Sequence, residues 1–217
     1  MDERIVTLSR SATDICADYL RSAILSGDFA DGMPLVIDRI AVQLGVSHTP
    51  IREAIRRLEA EGFLVYAPRK GATVRRIDAS EFEELIRIRY ALEPLLLERA
   101  VEKTGTSGYP VAVAALERWK KKTEAAEMLD AQWAFFHALY APSGQLRILE
   151  IVSANWRHIQ RYHQVSWVTS QQIRETDFSF KLRLLEACEK GGKDDALARL
   201  DEAIEWGSSL VAARLAG

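Results

Sequence analysis

Between residues 38 and 77, two helical patterns are followed by a pair of short β-type runs, and this order leaves few folds open to the chain. Gly45 ends the first helical pattern and Gly62 ends the second. The segment FLVYAPRKGATVRRI then divides into two β-branched and aromatic runs around a basic turn, which predicts a hairpin. With a further helical pattern over residues 14–25, these elements predict a winged helix-turn-helix of three helices and a β-hairpin wing.

The third helix of this pattern has two chemically different faces. His48, Arg52 and Arg56 follow one another at intervals of four and share one side. The opposite side is apolar and consists of Ile51, Ala54, Ile55 and Leu58. Ser47 or Thr49 is expected to cap the helix and to donate to a phosphate, while an arginine can pair with guanine in the major groove or bind phosphate. The basic face therefore predicts a helix that reads DNA.

The charge distribution agrees with this interpretation. Residues 47–76 contain seven basic and three acidic side chains, although the whole 217-residue chain has a formal net charge of −2. A compact basic patch on an acidic protein is typical of a site-directed DNA-binding protein. Arg69 and Lys70, at the tip of the predicted hairpin, are expected to enter an adjacent minor groove.

The rest of the chain has a different composition. No strand pair is indicated after residue 77, and Asp78 and Ser80 are candidate caps of a long helix that runs to about Lys103. Turn-rich segments divide the remainder into helices near 110–126, 129–141, 144–167, 170–189 and 193–214. The sequence thus predicts a mainly α protein, with a winged helix-turn-helix domain over residues 1–77 and an all-α helical bundle over residues 78–217.

Several classes of protein are disfavoured. The sequence has no G-x-S-x-G, G-x-x-x-x-G-K-[ST], G-x-G-x-x-G or H-E-x-x-H motif, so we expect no enzyme. Cys16 and Cys188 lack CxxC spacing and are interpreted as buried thiols. Neither a signal peptide nor an apolar run of about 18 residues is present, which predicts a cytoplasmic protein that does not enter a membrane.

The sequence resembles the GntR family of transcriptional regulators through the segment IAVQLGVSHTPIREAIRRLEAEGFLVYAPRKGATV. The helical remainder resembles the ligand-sensing FCD domain of the FadR subfamily, through RYALEP at 89–94, FFHALYAPSG at 135–144 and LLEACEKGG at 184–192. This resemblance implies a DNA-binding regulator with a ligand-sensing bundle. By position, Arg52 would contact a base or phosphate, and Gly71 would allow the backbone of the wing to approach DNA closely.

Two departures from the family pattern affect the DNA-binding half. His48 stands where the family usually has arginine, and Ile37 and Asp38 replace the polar or basic residues common at the start of the second helix. The half-site sequence that this chain recognises is therefore left open.

The resemblance also raises the question of a metal. Many FCD proteins hold a divalent metal through an Asp, a His four residues later and two further His. In this sequence those positions hold Trp133, His137, Lys181 and Ala203. Only His137 can be a ligand, and a transition-metal site needs three or four protein donors, so no metal and no cofactor are expected. His158 and His163 are interpreted as surface or core histidines, because a spacing of five places them on different helix faces.

The same alignment suggests an effector site. Lys181 is expected to supply the positive charge that a metal supplies in relatives, with Arg89 as a second cation and Trp133 as an aromatic wall. His137 is either a core residue or a pocket donor. The expected effector is a small-molecule carboxylate with an apolar body. If the alignment is shifted by one residue, Lys181 is instead exposed to solvent.

A regulator of this size is expected to bind palindromic double-stranded operator DNA as a homodimer, with a hinge at residues 75–80. The effector would change the spacing of the two DNA-binding domains, and the family's commoner habit implies a repressor. The alternative is a winged-helix protein-interaction module without a small-molecule effector; the basic residues at 52, 56, 69 and 70 argue against it. The run Trp119–Lys122 is interpreted as a solvated helix face.

Overall fold

The computed structural model describes residues 11–67, 71–76, 78–122, 125–167 and 170–215, without the side chains of 125, 126 and 163–167. The chain divides into two compact units, Met1–Arg76 and Ile77–Gly217. Arg69, Lys70 and Ile77 of the predicted wing tip and hinge lie outside the described residues, as does the side chain of His163.

The described part of the first unit is a winged helix-turn-helix, as predicted. It contains the helices α1 (Ala12–Ser26), α2 (Ile37–Leu44) and α3 (His48–Ala60), followed by the strands β1 (Leu64–Ala67) and β2 (Gly71–Val74). The strands are antiparallel, with Leu64 opposite Val74 and Ala67 opposite Gly71. Gly45 ends α2 at φ +65°, a left-handed conformation that favours glycine and makes the tight turn into α3.

Local sequence explains how this unit is assembled. Ser11 and Asp14 form a capping box at the start of α1, and buried apolar residues of α1 and α3 pack together. Arg21 of α1 donates to Glu61 just after α3, with an Nη2 to Oε2 distance of 2.8 Å. The wing also pairs with the segment before α2, because the Leu35 amide donates to the Ala72 carbonyl at 2.8 Å. The hairpin is therefore held on both sides.

The described part of the second unit is helical. Its long helices are α4 (Ala79–Thr104), α5 (Pro110–Lys120), α6 (Ala125–Tyr140), α7 (Leu146–Trp167), α8 (Gln171–Glu189) and α9 (Lys193–Leu215). Asp78 caps α4 by accepting from the Ser80 amide at 2.8 Å. The boundary between α5 and α6 was predicted a few residues late, because no glycine or proline marks it and only the C-terminal cluster of cations indicates the end of α5.

The core of the second unit is one large apolar cluster that draws on its long helices, with Trp156, Tyr140 and Phe135 among its most buried side chains. Cys16 of the first unit and Cys188 of the second are both buried, as predicted. Trp119 is only 3% exposed, so the interpretation of Trp119–Lys122 as a wholly solvated face is wrong at its first residue. Its large apolar ring packs against the partly buried Phe178. Among the described residues, no helix is long and apolar enough to cross a bilayer.

Candidate functional sites

The exposed face of α3 is the first candidate site. The predicted DNA-binding residues on this face are all exposed to solvent: Ser47, His48, Thr49, Arg52 and Arg56. Ser47 is the N-cap residue of α3, but its side chain makes no capping hydrogen bond. The Ser47 hydroxyl and the first amides of α3 are therefore available to an anion such as a phosphate.

The acidic residues of this region are used within the unit. Glu53 accepts from the Thr13 hydroxyl at 2.7 Å, and Glu59 accepts from the Tyr66 amide at 3.0 Å. Arg52 and Arg56 form no ion pair among the described residues. Both acids thus accept hydrogen bonds from the same unit although they are exposed, and the two guanidinium groups have no ion-pair partner among the described residues.

A shallow cleft runs beside Arg52 and Arg56. Its other walls come from Ile37 at the start of α2, from Ile55 and Glu59 on α3, and from Tyr66 on β1, which is 48% exposed. Arg39 on α2 is also exposed and makes no ion pair with a described residue. Sequence analysis missed Tyr66 and Arg39; the signal for Arg39 was a lone cation on the polar face of the second helix.

The two departures from the family pattern contact each other. His48 Nε2 lies 3.1 Å from Asp38 Oδ1, and both side chains are more than half exposed. His48 is thus placed at the solvent-facing start of α3 with a carboxylate from α2 beside it. Gly71, at the tip end of the wing where β2 begins, has φ +78° and no atom within 4 Å of a would-be Cβ, so its conformation rather than crowding calls for glycine.

A buried charge cluster in the second unit is the other candidate site, and its first half is centred on Glu93. Arg89, which is 3% exposed, donates to both Glu93 carboxylate oxygens at 2.8 and 3.2 Å. Glu93 also accepts from the Tyr140 hydroxyl at 2.7 Å and from Trp156 Nε1 at 2.8 Å. Burial and the Glu93 carboxylate raise the pKa of Tyr140 well above its ordinary value, which keeps its hydroxyl a donor.

The second half of this cluster is an ion pair between Lys181 and Asp177, one turn apart on α8. Lys181 is 1% exposed and Asp177 is 4% exposed. Burial raises the pKa of Asp177 and lowers that of Lys181, and in each case the partner opposes the shift. Because Lys181 is buried, the alternative in which it faces solvent is wrong.

The structure brings three of the four predicted effector residues together. The Phe136 ring lies 5.6 Å from Arg89 Cζ and 5.9 Å from Lys181 Nζ, while Trp133 packs 5.6 Å from Trp156, measured between ring centroids. His137 is exposed and touches the edge of Trp133, so its reading as a core residue is wrong. Its exposure shows that the imidazole points away from the core.

The carboxylates of this cluster were not anticipated. Glu93 and Asp177 each lie four residues from their cation, a spacing that is visible in the sequence as a helical ion pair. That pattern is far more often found on a surface, where burial cannot be recognised from spacing alone.

The residues at the family's metal positions do not fit a metal. Lys181 is a cation already paired with Asp177, Trp133 and Ala203 offer no ligand atom, and His137 faces outward. Within the described ranges, no group of three or more His, Cys, Asp or Glu side chains could hold a metal ion.

Comparison with known proteins gives a consistent picture. Residues 13–74 match the model of the family "Bacterial regulatory proteins, gntR family", and residues 84–205 match that of the FCD domain. The transcriptional regulator McbR of Escherichia coli is 27% identical over 188 residues, covering 83% of this chain and 85% of McbR. The regulator YdhC of Bacillus subtilis is 26% identical over 183 residues, covering 82% of this chain and 81% of YdhC. The solved structure of E. coli McbR/YncC superposes with a TM-score of 0.75 at 24% identity, covering 95% of this chain and all of that one.

Proposed function

The chain belongs to the GntR family of bacterial regulatory proteins and carries an FCD domain, so it is a DNA-binding transcriptional regulator; we propose that it is a repressor controlled by a carboxylate. It would bind palindromic operator DNA in the cytoplasm as a homodimer, and the effector would act through the FCD unit. The DNA-binding part of this proposal rests on one observation. The guanidinium groups of Arg52 and Arg56 are exposed, and no described carboxylate forms an ion pair with them.

On this proposal, α3 enters the major groove. Arg52 and Arg56 would contact bases or phosphates, while His48, Ser47 and Thr49 would contact the backbone or base edges near the start of the helix. Arg69, Lys70 and Gly71 would bring the wing to the minor groove, an assignment that rests on sequence for the two cations. Exposed Arg39 would add a phosphate contact from α2.

The first experiment is selection of bound sequences from a random duplex library, followed by affinity measurements on the enriched site. We expect a palindrome, and we expect Arg52→Ala and Arg56→Ala each to weaken binding about tenfold to a hundredfold. Arg118→Ala, which removes an exposed arginine from α5, is the control and should change little. If no sequence is enriched, the chain is instead a winged-helix protein-interaction module.

The dimer is proposed to form through the second unit. Ile88 and Leu95 lie seven residues apart on one side of α4 and are 36% and 46% exposed. Two-fold pairing of this side with that of a second copy would bury both residues. Leu95→Glu should then yield monomers by light scattering and weaken operator binding, whereas wild type should be dimeric. A monomeric wild-type protein would contradict this assignment.

The effector is proposed to replace an internal carboxylate. Arg89 is held by Glu93, which also accepts from Tyr140 and Trp156, whereas Lys181 is paired with Asp177, one turn earlier on the same helix. An effector carboxylate would therefore take the place of Asp177 at Lys181 and lay its apolar body near Trp133. The exposed His137 would contact it from the outer side of α6.

This exchange makes two variants informative. Asp177→Asn should raise the affinity for a carboxylate about tenfold, because the competing anion is gone, while Lys181→Met should abolish binding. The first screen is a thermal-shift assay of chelator-treated protein against divalent metals and a panel of carboxylates, since a ligand of the folded state raises its melting temperature. Stabilisation by a metal alone, or unchanged carboxylate affinity in Lys181→Met, would refute the exchange.

A further inference from the structure

We infer that a second ligand site, separate from the buried charge cluster, lies in a cleft between α5, α6 and α8, and that it binds a small aromatic carboxylate. The cleft has a volume of about 370 Å³, which lies toward the lower end of the range of small-molecule sites. Its floor consists of Trp119, Met128 and Phe178, and its rim carries Lys120, Lys122 and Arg174.

The floor suits a flat apolar group. The Trp119 and Phe178 rings are stacked, with centroids 6.2 Å apart and planes 19° apart. Met128 adds a flexible, polarisable side chain beside them. A planar ring placed in this cleft would therefore meet aromatic and thioether surface rather than polar groups.

The rim suits an anion. Lys120 and Arg174 form no ion pair with a described residue, whereas Lys122 lies 3.1 Å from Glu127. Among the described residues that line the cleft, Glu175 is the one acid, and it accepts from Gln171 at 2.8 Å. Helix α8 begins at this rim, and the side chain of its N-cap residue Ser170 makes no capping hydrogen bond. The free amides of that helix end add to the positive potential.

A buried donor on the floor is a third, independent indication. Trp119 is 3% exposed, yet its indole Nε1 has no hydrogen-bond partner among the described residues. An unpaired buried N–H is costly, and because Nε1 is itself covered, a ligand oxygen would satisfy it once the side chains of the floor move aside. Trp119 also lies between the two sites, because Lys181 Nζ is 4.9 Å from its ring centroid.

The test is a ligand-observed NMR titration of the whole chain, with benzoate as the probe for the cleft. We expect benzoate to bind, and benzamide and acetate to bind at least about fivefold more weakly, since one lacks the charge and the other the ring. Arg174→Gln and Lys120→Gln should each weaken benzoate about fivefold. Arg118→Gln changes a residue that lies on α5 with Lys120 but outside the cleft. It is the matched control and should leave the affinity for benzoate unchanged.

Two further variants separate this site from the proposed effector site. The double variant Asp177→Asn, Lys181→Met removes the buried pair but should retain benzoate binding. Trp119→Phe keeps an aromatic floor without the donor and should weaken benzoate severalfold, provided that its thermal unfolding shows a folded protein. Absence of benzoate binding, equal binding of acetate, or equal losses in Arg118→Gln and Arg174→Gln would overturn the inference.

Discussion

On α3 the guanidinium groups of Arg52 and Arg56 are exposed, whereas in the second unit the cationic groups of Arg89 and Lys181 are buried beside carboxylates. An exposed cation keeps its hydration and costs little, so it can be reserved for a partner. A buried cation must be paired, because removal from water is expensive. The exposed arginines of α3 are therefore available to a partner, whereas the buried cations of the second unit are neutralised within the protein, and the variants below test that distinction.

The two units can be followed separately because each contains one cysteine, Cys16 in the first and Cys188 in the second, both 0% exposed. We expect both thiols to react with DTNB at pH 8 at least about a thousandfold more slowly in native protein than in urea, given ordinary domain stabilities. On titration with urea, Cys16 should become reactive first, because a smaller unit has a smaller core. Mass spectrometry of labelled peptides measures each site, and simultaneous labelling would show that the units unfold together.

The pH dependence of the same thiols has a defined sign. Burial raises the pKa of Cys188 from 9.0 to about 12. The native state holds this proton more tightly than the unfolded state. The contribution of the protonated Cys188 thiol to the free energy of unfolding is therefore complete below about pH 9 and is lost as the pH rises toward 12. We expect the Cys188→Ala variant to lose less stability than wild type across that interval.

The largest loss of stability from one substitution is expected at Glu93. Glu93→Ala leaves the Arg89 charge and the Tyr140 and Trp156 donors without their acceptor, which should cost about 3–5 kcal/mol in the free energy of unfolding. Urea denaturation measures this. The double variant Arg89→Met, Glu93→Leu should recover only part of the loss, because two polar donors remain. A loss below about 1 kcal/mol would mean that the cluster is hydrated rather than buried.

Most of the fold follows from the sequence, because periodicity and turn residues are local signals. Gly45 and Gly62 mark two helix ends, and the two β-branched and aromatic runs after Gly62 mark the wing. The exposed face of α3 was also predictable, because the helical spacing of polar and apolar residues identifies the side that does not pack against the core. What could not be predicted was pairing in three dimensions: Asp177 and Glu93 are ordinary acids in the sequence, and only the packing of α4 against α7 and α9 and of α8 against α9 and α5 buries them.

A smaller effect on stability is expected from substitution of Arg57, an arginine of α3 that, unlike Arg52, forms ion pairs within its own unit. Arg57 is paired with Asp14 at 3.0 Å and with Glu61 at 3.1 Å, although its side chain is 50% exposed. Arg57→Ala should cost up to about 1 kcal/mol of stability and weaken operator binding less than about threefold. Anisotropy titration beside Arg52→Ala makes the comparison. Equal losses of DNA affinity in both variants would show that the helix acts through overall charge and not through its free face.

The smallest expected effect concerns Asp38, an acid beside the DNA-binding face whose ion-pair partner, His48, is itself a predicted DNA contact. Asp38→Asn removes a negative charge near phosphate and releases His48 as a donor, so operator affinity should rise about twofold to fivefold at low salt. Glu84→Gln, an exposed acid of the second unit, is the control and should have no effect.

A double-mutant cycle with His48→Ala distinguishes the two causes of that gain. If Asp38 acts by holding His48, then Asp38→Asn should gain little in the His48→Ala background, because there is no donor to release. If the gain is the same in both backgrounds, Asp38 acts only as a charge near the DNA, and His48 makes no contact that Asp38 controls. A fall in operator affinity would instead mean that the contact between His48 and Asp38 orients the start of α3 for binding. Asp38 would then have a structural role in the first unit, like that of the buried carboxylates in the second.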